Sequence, residues 1–564
     1  MPLLDAMRSA PATRTGAFSW PSVLPRGFPG TFQDATFRSC SFGLLAAMGI
    51  LLASCRPEPR ADLVLHNGRE PETLDPHLLT GQADGRVASA LFEGLTRYDP
   101  VTGNAVPGLA ESWTVSGDGL DYHFKLRANA AWSDGRPIVA DDVLWSFRRA
   151  VNPETGADYA SQYFYIENGE AICTGAERDL SKLGVAATSP RSIHFRLRNP
   201  TPFFLELLAS RVFAVIPRQA VERGGDRWLL QPGLPCSGPY TLGSWRVNDR
   251  IRLRRNPHYW DVAHVRAETI DVLAGDSAHT ALNQYLVSDI DFILDKDMFP
   301  SELAEALKRR PDFHSYTYLG AYFIRFNTTR KPFADPRVRR AIGMAIDRAR
   351  IVSRITRMGE PPTSHLVPAG AGGYQPPSGL ERDPDAARRL LAEAGYPGGK
   401  GFPAFEYSYN SEARLHEHVA VEVQSALHEV LGLSMQLRPL EWKTYLNNMS
   451  RLDYDLMRSS WIGDYNDPNT FLDLFLADGG NNRTGWRDPA YDALVNQANS
   501  TLDRTGRFAL LARAEARLLR EGAPIVPLYS YVGFYALDTN RVGGIHPNLL
   551  DEHPFWAIHR VAPR

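Results

Sequence analysis

A chain of 564 residues exceeds the roughly 250 to 300 residues at which a single hydrophobic core stops growing, so we expect at least two compact bodies. Its composition, 43% hydrophobic and 22% charged, is that of a folded protein and excludes a disordered chain. Because 62 Lys and Arg nearly balance 64 Asp and Glu, no net field favours nucleic acid or an anionic membrane, and we expect no nucleic-acid partner.

The amino terminus contains an uncharged, small-residue-rich stretch over 40–54 that ends at Cys55. It is too short for a spanning helix of about 20 apolar residues but fits the hydrophobic region of a signal peptide. Leu52-Ala53-Ser54-Cys55 resembles the bacterial lipobox, in which the cysteine thiol is acylated and the upstream peptide is removed. We therefore expect a leader and lipoprotein signal peptide over 1–54, then the lipidated Cys55 and a tether over 55–60. An uncleaved anchor, or a buried apolar helix with an incidental cysteine, remains open.

Cys40 belongs to the predicted leader and Cys55 is the predicted site of lipidation, which leaves two cysteines. These are Cys173 and Cys236. A single pair in an oxidising compartment is able to form one disulfide, although the sequence does not show whether the two sulfurs meet.

The first elements of the mature chain are predicted to be a strand, a helix and a hairpin. Residues 63–65 form a short apolar run typical of a strand. After Asp84, apolar residues recur at helical spacing at Val87, Leu91 and Leu95. Residues 113–126 alternate apolar and polar side chains on both sides of a turn at 116–119, which predicts a hairpin.

Strands and helices continue to alternate further along the chain. Asp141 and Asp142 place negative charge where a helix begins, and strands are predicted at 193–197 and 240–245. Helical spacing covers 336–350 and 383–394. This interleaving indicates mixed α/β lobes, and without a long linker we expect strands that cross between the lobes, as in hinged binding proteins.

Specific residue strings carry more information than this periodicity. They occur in order along almost the whole chain after the tether: Leu74–His77, Leu91–Leu95, Ala110–Trp113, Ala131–Gly135, Ser237–Tyr240, Arg255–Trp260, Leu390–Tyr396, Glu441–Thr444 and Trp461–Pro468. Together they resemble the periplasmic oligopeptide-binding proteins, which serve peptide ABC importers. Most of these strings are turns, caps and core aromatics, so they indicate the fold before the ligand.

The resemblance implies a two-lobed, periplasmic binding protein-like α/β fold with an inserted extra domain and a hinged cleft. The boundaries it implies are a first lobe over 61–92, 217–319 and 533–564, a second domain over 93–216 and a third over 320–532. It also implies a monomer that binds short peptides with a free amino terminus and delivers them to the permease subunits of an ABC importer, without a cofactor.

Six residues match positions that contact the ligand in this family. Asp464 matches the aspartate that binds the peptide ammonium, and Tyr159 a tyrosine at the same end. Trp442 and Trp461 match residues of the cavity wall. Arg458 and His416 match residues that bind the carboxylate of shorter peptides. Each has a plainer alternative: Asp464 as a turn cap, the aromatic residues as core, and His416 as a surface residue of a helix.

The sequence departs from the family at several positions. The best-known members carry a disulfide between positions that correspond here to Gly320 and Ile462, so that crosslink is absent. In the family, an acidic residue that attracts lysine-bearing peptides occupies the position of Thr80. An arginine that binds the carboxyl end of longer peptides lies near the position of Met449. Preference for basic side chains and for peptide length is therefore left open.

Other functional classes have little support in the sequence. No G-x-S-x-G, H-E-x-x-H, C-x-x-C or G-x-x-x-x-G-K-[ST] motif occurs, and we expect neither an enzyme nor a metal site. An exported hydrolase remains a remote alternative. Within the same fold, a specialised binder of murein peptide, dipeptide, haem or nickel also stays open.

Overall fold

A computed structural model describes residues 58–561, apart from 412, 478 and 480. The leader over 1–54 and Cys55 lie outside the described residues, so lipidation stays a prediction. The chain divides into Met1–Arg60 and a second unit, Ala61–Arg564, and the fold of the second unit follows. In the part of the chain that is described, no helix is both long and apolar enough to cross a membrane.

Strands and helices alternate along the chain, as predicted. The strands are β1 Leu63–His66, β2 Thr96–Tyr98, β3 Ala105–Pro107, β4 Ala110–Val115, β5 Asp121–Leu126, β6 Val185–Ser189, β7 Ser192–Arg196, β8 Tyr240–Arg246, β9 Arg250–Arg255, β10 Thr269–Leu273, β11 Phe292–Ile293, β12 Phe313–Phe326, β13 Phe405–Asn410, β14 Met435–Leu440, β15 Leu456–Ile462, β16 Ile525–Leu537, β17 Val542–Gly543 and β18 His559–Arg560. The helices are α1 Gln82–Leu91, α2 Ala140–Val151, α3 Gly169–Cys173, α4 Phe204–Leu208, α5 Arg218–Gly224, α6 Ala278–Leu286, α7 Ala304–Leu307, α8 Pro336–Ala345, α9 Arg348–Ile351, α10 Pro384–Glu393, α11 Arg414–Leu431, α12 Trp442–Ser450, α13 Asn469–Leu472, α14 Pro489–Asn499 and α15 Arg504–Ala516.

A ten-stranded mixed sheet runs through the unit in the order β14-β13-β15-β12-β16-β11-β1-β10-β9-β8. Its long central strands, β12 and β16, pair antiparallel, but the register shifts between Thr317, opposite Val532, and Ala321, opposite Ser530. Such an irregularity bends a strand and increases its local twist. The predicted lobe boundary at 319/320 falls in this stretch and the one at 532/533 lies directly beside it. Both remain predictions.

The chain builds several hydrophobic cores, as its length predicts. One core draws on residues between Leu95 and Val215, joined by Tyr465, and packs on the sheet β4-β5-β7-β6. A second combines the beginning of the described chain with residues 214–294 and 535–558. Two more lie on opposite sides of β12, because alternate residues of a strand face opposite ways.

Two local predictions are corrected by the structure. The helix predicted over 336–350 is interrupted, because α8 ends at Ala345 and α9 begins at Arg348. Asp347 between them caps α9, its side chain accepting a hydrogen bond from the backbone N–H of Arg350 at 2.9 Å. Leu95 lies beyond the end of α1 and belongs instead to the core of the following segment.

The possible disulfide is absent, since Cys173 and Cys236 are both free thiols. Cys173 at the end of α3 packs against the core that begins at Leu95, whereas Cys236 is fully buried in another core. The two sulfurs are directed to separate neighbours, the carbonyl oxygens of Ala160 at 3.8 Å and Leu234 at 3.4 Å. Because Cys173 and Cys236 belong to different cores, they do not form a disulfide with each other.

The loop that follows β15 is fixed from several sides. Buried Arg507 of α15 donates two hydrogen bonds to Asp467 at 2.6 and 2.7 Å. Asn466 accepts a hydrogen bond from the backbone N–H of Gly372 at 2.8 Å, and Tyr465 stacks on Phe203 with ring centres 4.7 Å apart. The conformation of this loop thus depends on contacts from distant parts of the chain.

We predict that Arg507→Met lowers the free energy of unfolding by about 3 to 5 kcal/mol, because it leaves the Asp467 carboxylate buried without its partner. Urea titration followed by circular dichroism measures the change. The double variant Arg507→Met/Asp467→Asn is the control, and it should recover most of the loss because no charge is then left buried. Equal destabilisation of the single and double variants would contradict this account.

Candidate functional site

Strand β15 is fully paired along one edge and only partly along the other. It pairs with β12 from Leu456 to Ile462, but β13 pairs only with Leu456 and Met457. Among the described residues, no other strand pairs with the stretch from Arg458 to Ile462. The carbonyl oxygen of Arg458 accepts a hydrogen bond from the Tyr445 hydroxyl at 2.7 Å. Other backbone N–H and C=O groups of an edge strand are free to pair with an added extended chain.

Asp464 lies two residues beyond the end of β15. Partial burial raises the pKa of its carboxyl to about 6, and a hydrogen bond with the Gln162 side chain opposes that rise. The desolvation is only partial, because much of the residue's surface still meets water. Its backbone N–H donates to the hydroxyl of Thr470 at 3.1 Å. At neutral pH the site therefore presents a carboxylate that water reaches but solvates poorly.

Tyr159 lies in the same region as Asp464. Burial raises the pKa of the Tyr159 hydroxyl, and the Asp464 carboxylate raises it further. Tyr159 directly precedes a short helical turn, Ala160–Tyr163, that carries Gln162. The segment between α2 and α3 thus supplies two polar side chains to the surroundings of Asp464, of which Gln162 was not predicted. Nothing in the sequence pattern distinguishes it from other surface glutamines.

Arg458 and His416 both contact Tyr322, Arg458 at the face of the ring and His416 at the hydroxyl. The Arg458 guanidinium carbon lies 4.9 Å from the centre of the Tyr322 ring, and one of its nitrogens donates to the Tyr531 hydroxyl at 3.1 Å. The Tyr322 hydroxyl in turn lies 3.4 Å from Nδ1 of His416. Because His416 is buried within α11, its interpretation as a surface residue is wrong.

The two tryptophans line a cavity of about 160 Å³ next to Arg458. Trp442, 45% exposed, stacks on Tyr445 with ring centres 5.5 Å apart. The exposed fraction rules out a core role for Trp442. Trp461 is half-buried, and its indole N–H, which is inaccessible to water, has no hydrogen-bond partner among the described residues. A flat aromatic wall suits varied side chains because it makes few directional demands.

These side chains give the site two ends of opposite charge. Arg458 and Asp464 are six residues apart, so their Cα atoms lie at most about 20 Å apart at about 3.3 Å per residue. An extended peptide of about three to five residues spans about 10 to 17 Å on the same measure. Within the described residues, no group of three or more His, Cys, Asp or Glu side chains is arranged to hold a metal ion.

Residues 104–483 match the model of the bacterial extracellular solute-binding proteins, family 5. This match covers more than half of the chain. The chain belongs to family 5. The predicted resemblance is thereby confirmed, and family 5 consists of solute-binding proteins rather than enzymes.

Individual proteins are similar to this chain over most of its length. The periplasmic oligopeptide-binding protein of Salmonella typhimurium is 36% identical over 83% of this chain and 87% of its own length. A probable deoxycholate-binding periplasmic protein of Escherichia coli is 32% identical over 85% and 89%. The unliganded open form of a periplasmic murein tripeptide-binding protein superposes with a TM-score of 0.79 at 32% identity, over 89% of this chain and 98% of the other. The two-lobed, periplasmic binding protein-like α/β fold is confirmed.

Several residues near the site were not predicted from the sequence. Tyr322 and Tyr445 are buried aromatic residues, indistinguishable by pattern from core residues. Arg325 did carry a signal, because it interrupts the apolar run from Ala321 to Phe326 within a buried strand. The ligand-binding roles assigned to the six predicted residues stay predictions.

We predict that Gln162→Ala raises the pKa of Asp464 above about 6, because the variant loses a hydrogen bond that favours the charged carboxylate. Carbon-detected NMR titration of aspartate carboxyl groups, assigned by comparison with Asp464→Asn, measures the shift. Thr470→Val is a matched control that removes the hydroxyl contacting the backbone of Asp464 but no donor to its carboxylate. An unchanged pKa in Gln162→Ala would remove Gln162 from this role.

Proposed function

We propose that this protein is an extracytoplasmic solute-binding lipoprotein that captures short peptides between its lobes and delivers them to an ABC importer. The lipid on Cys55 holds it at the membrane. The observation that carries the proposal is the pair of opposite charges at the ends of the open stretch of β15. Asp464 faces the peptide ammonium, while Arg458 and His416 face the terminal carboxylate.

Sequence-independent contacts come from the backbone of β15. A peptide that pairs with Arg458 to Ile462 as an added strand forms main-chain hydrogen bonds whatever its side chains are. Trp442 and Trp461 then tolerate the side chains, since stacking and apolar contact do not depend on one defined shape. Charged ends and a permissive middle are what a receptor for many peptides requires.

The relatives' ligands differ at similar identity, so kinship alone does not select a peptide for this chain. A bile acid such as deoxycholate has no cationic group to pair with Asp464. Nickel requires several converging donors, and haem an axial ligand. A ligand with a free ammonium and a carboxylate uses both charged ends, which favours a peptide.

We predict that Asp464→Asn weakens binding of free tripeptides by about 2 to 5 kcal/mol, because the peptide ammonium loses its charge partner. Calorimetry with a tripeptide library measures the loss. N-acetylated peptides should bind the wild type weakly and gain nothing from Asp464. The exposed Asp158, next to Tyr159, provides the control Asp158→Asn, which should leave affinity unchanged. Equal affinities of Asp464→Asn and wild type would exclude Asp464 from the site.

We predict that peptide affinity falls as the pH drops through about 6. The raised pKa of Asp464 is about 6, so the carboxylate that binds the ammonium is lost below that value and present above it. A second decline is expected above about 8, where the terminal amine loses its proton. Calorimetry between pH 4.5 and 9 measures the decline in affinity at both ends of this range. The variant Asp464→Asn should lack the decline at acidic pH.

Asp473 is the control for that titration. Burial chiefly raises the pKa of Asp473 to about 7, with Asp464 and Asp467 adding to the rise. Asp473→Asn should keep the acidic decline at about the same pH, because the Asp473 carboxyl, with a pKa of about 7, is already largely protonated near pH 6. If Asp473→Asn alone abolished the decline, the titrating group would be Asp473 instead of Asp464.

A further inference from the structure

The cavity beside β15 is lined by three arginines and by no acidic residue in its described wall. The arginines are Arg325, Arg458 and Arg483, and the rest of the lining is aromatic, apolar or neutral polar. Proteins pair buried cations with carboxylates because an uncompensated charge is costly to remove from water. The part of this cavity wall that the structure describes is therefore short of negative charge.

Arg325 is the most strongly buried of the three cavity arginines. It is 4% exposed on β12, and one of its terminal nitrogens donates to the carbonyl oxygen of Asn481 at 3.2 Å. Its Nε, which is inaccessible to water, has no partner among the described residues. The phenyl rings of Phe323 and Phe475 lie 5.6 and 5.9 Å from the guanidinium carbon. Burial lowers the pKa of Arg325, and the nearby Arg483 adds to the effect.

The other two cavity arginines also have only neutral partners among the described residues. Arg458 donates to Tyr531 and lies over Tyr322, and its Nε is buried without a partner. Arg483 reaches the thioether sulfur of Met449 at 3.8 Å, which is a weak acceptor. All three guanidinium groups thus keep unused capacity for an anion.

Buried arginines elsewhere in the protein are compensated. Arg86 pairs with Asp295 and Asp551 at 3.2 and 3.3 Å, and Arg252 with Asp271 at 2.6 Å. Among the described residues, Arg339 and Arg348 form no ion pair but donate to backbone carbonyls, and neither lines this cavity. Arg325 differs because it borders open space next to the proposed peptide site.

We propose that Arg325, with Arg483 beside it, binds a carboxylate group of the peptide inside this cavity, so that the protein selects anionic peptides. The proposal rests on the proposed function. Planar guanidinium groups suit carboxylates because they form two parallel hydrogen bonds. Cavities of about 150 Å³ accept a benzene-sized group, so an acidic side chain fits. Since Trp461 and Arg458 belong to both the cavity and the peptide site, a bound peptide brings its side chains there.

The test compares peptides that differ in a single carboxylate. Calorimetry measures Ala-Glu-Ala against Ala-Gln-Ala, Ala-Ala-Glu against Ala-Ala-Gln, and Ala-Ala-Ala against its carboxyl-terminal amide. We expect the wild type to favour Glu over Gln at one position by about tenfold or more, and Arg325→Gln to bring that ratio close to one. Arg388→Gln, which changes an exposed arginine of α10, is the control and should preserve the ratio.

A folding control accompanies the binding measurements. Because Arg325 has no acidic partner among the described residues, Arg325→Gln should unfold at the same temperature as the wild type or a higher one. If Arg325→Gln does not fold, Arg483→Gln replaces it and should lower the Glu-to-Gln ratio in the same direction. A cavity that only packs would lose stability and show no change in this ratio.

The outcomes separate this inference from the proposed function. If Arg325→Gln reduces only the preference for the free carboxyl terminus over the amide, the cavity binds the terminal carboxylate and the inferred selection of anionic peptides is overturned. If tripeptides bind but neither ratio responds to Arg325, the inference is overturned and peptide binding stands. If no tripeptide binds the wild type, the proposed function itself fails.

Discussion

The antiparallel pairing of β12 with β15 is the interaction on which the site depends. It occupies one edge of β15 from Leu456 to Ile462 and so leaves the opposite edge available beyond Met457. The same ladder aligns Arg458 with Ile324, next to Tyr322 and Arg325 on β12. Hydrogen bonds between main chains thus fix the position of the charged side chains more rigidly than any loop would.

The charged groups of the proposed site are held in place by the fold itself. Asp464 is poorly solvated, and Arg325 and Arg458 are buried with neutral partners. Such groups lower the stability of the empty protein, and a ligand of opposite charge relieves this cost. The surrounding packing has to be strong enough to tolerate them, and the paired Arg507 and Asp467 contribute to that on the loop that carries Asp464.

The sequence predicted the class of fold and most elements because periodicity reports burial directly. The hairpin formed by β4 and β5 follows from alternation of side chains and a polar turn. The break between α8 and α9 was missed, because the apolar spacing continues across it while the capping role of Asp347 depends on local geometry. The separation of Cys173 from Cys236 depends on which core each segment joins, and spacing does not show that.

Some polar and charged residues of the site were likewise predicted from the sequence, and others were not. Asp464 and Arg458 were assigned through the family resemblance, and their ligand-binding roles stay predictions. In the structure Arg458 lies on β15 and Asp464 just beyond its end. Arg325 had a visible signal, a charge within an apolar strand, but its importance depends on a cavity that only tertiary packing creates. Gln162 had no signal, since its contact with Asp464 joins segments about 300 residues apart.

Gly320 of β12 lies directly opposite Ile462 of β15. A β-carbon at position 320 would come within 2.6 Å of the Tyr531 ring, and Tyr531 is the residue that accepts a hydrogen bond from Arg458. A cysteine there would push this tyrosine away from the arginine. The lack of a side chain at position 320 therefore leaves room for the Tyr531 ring to lie where its hydroxyl reaches Arg458.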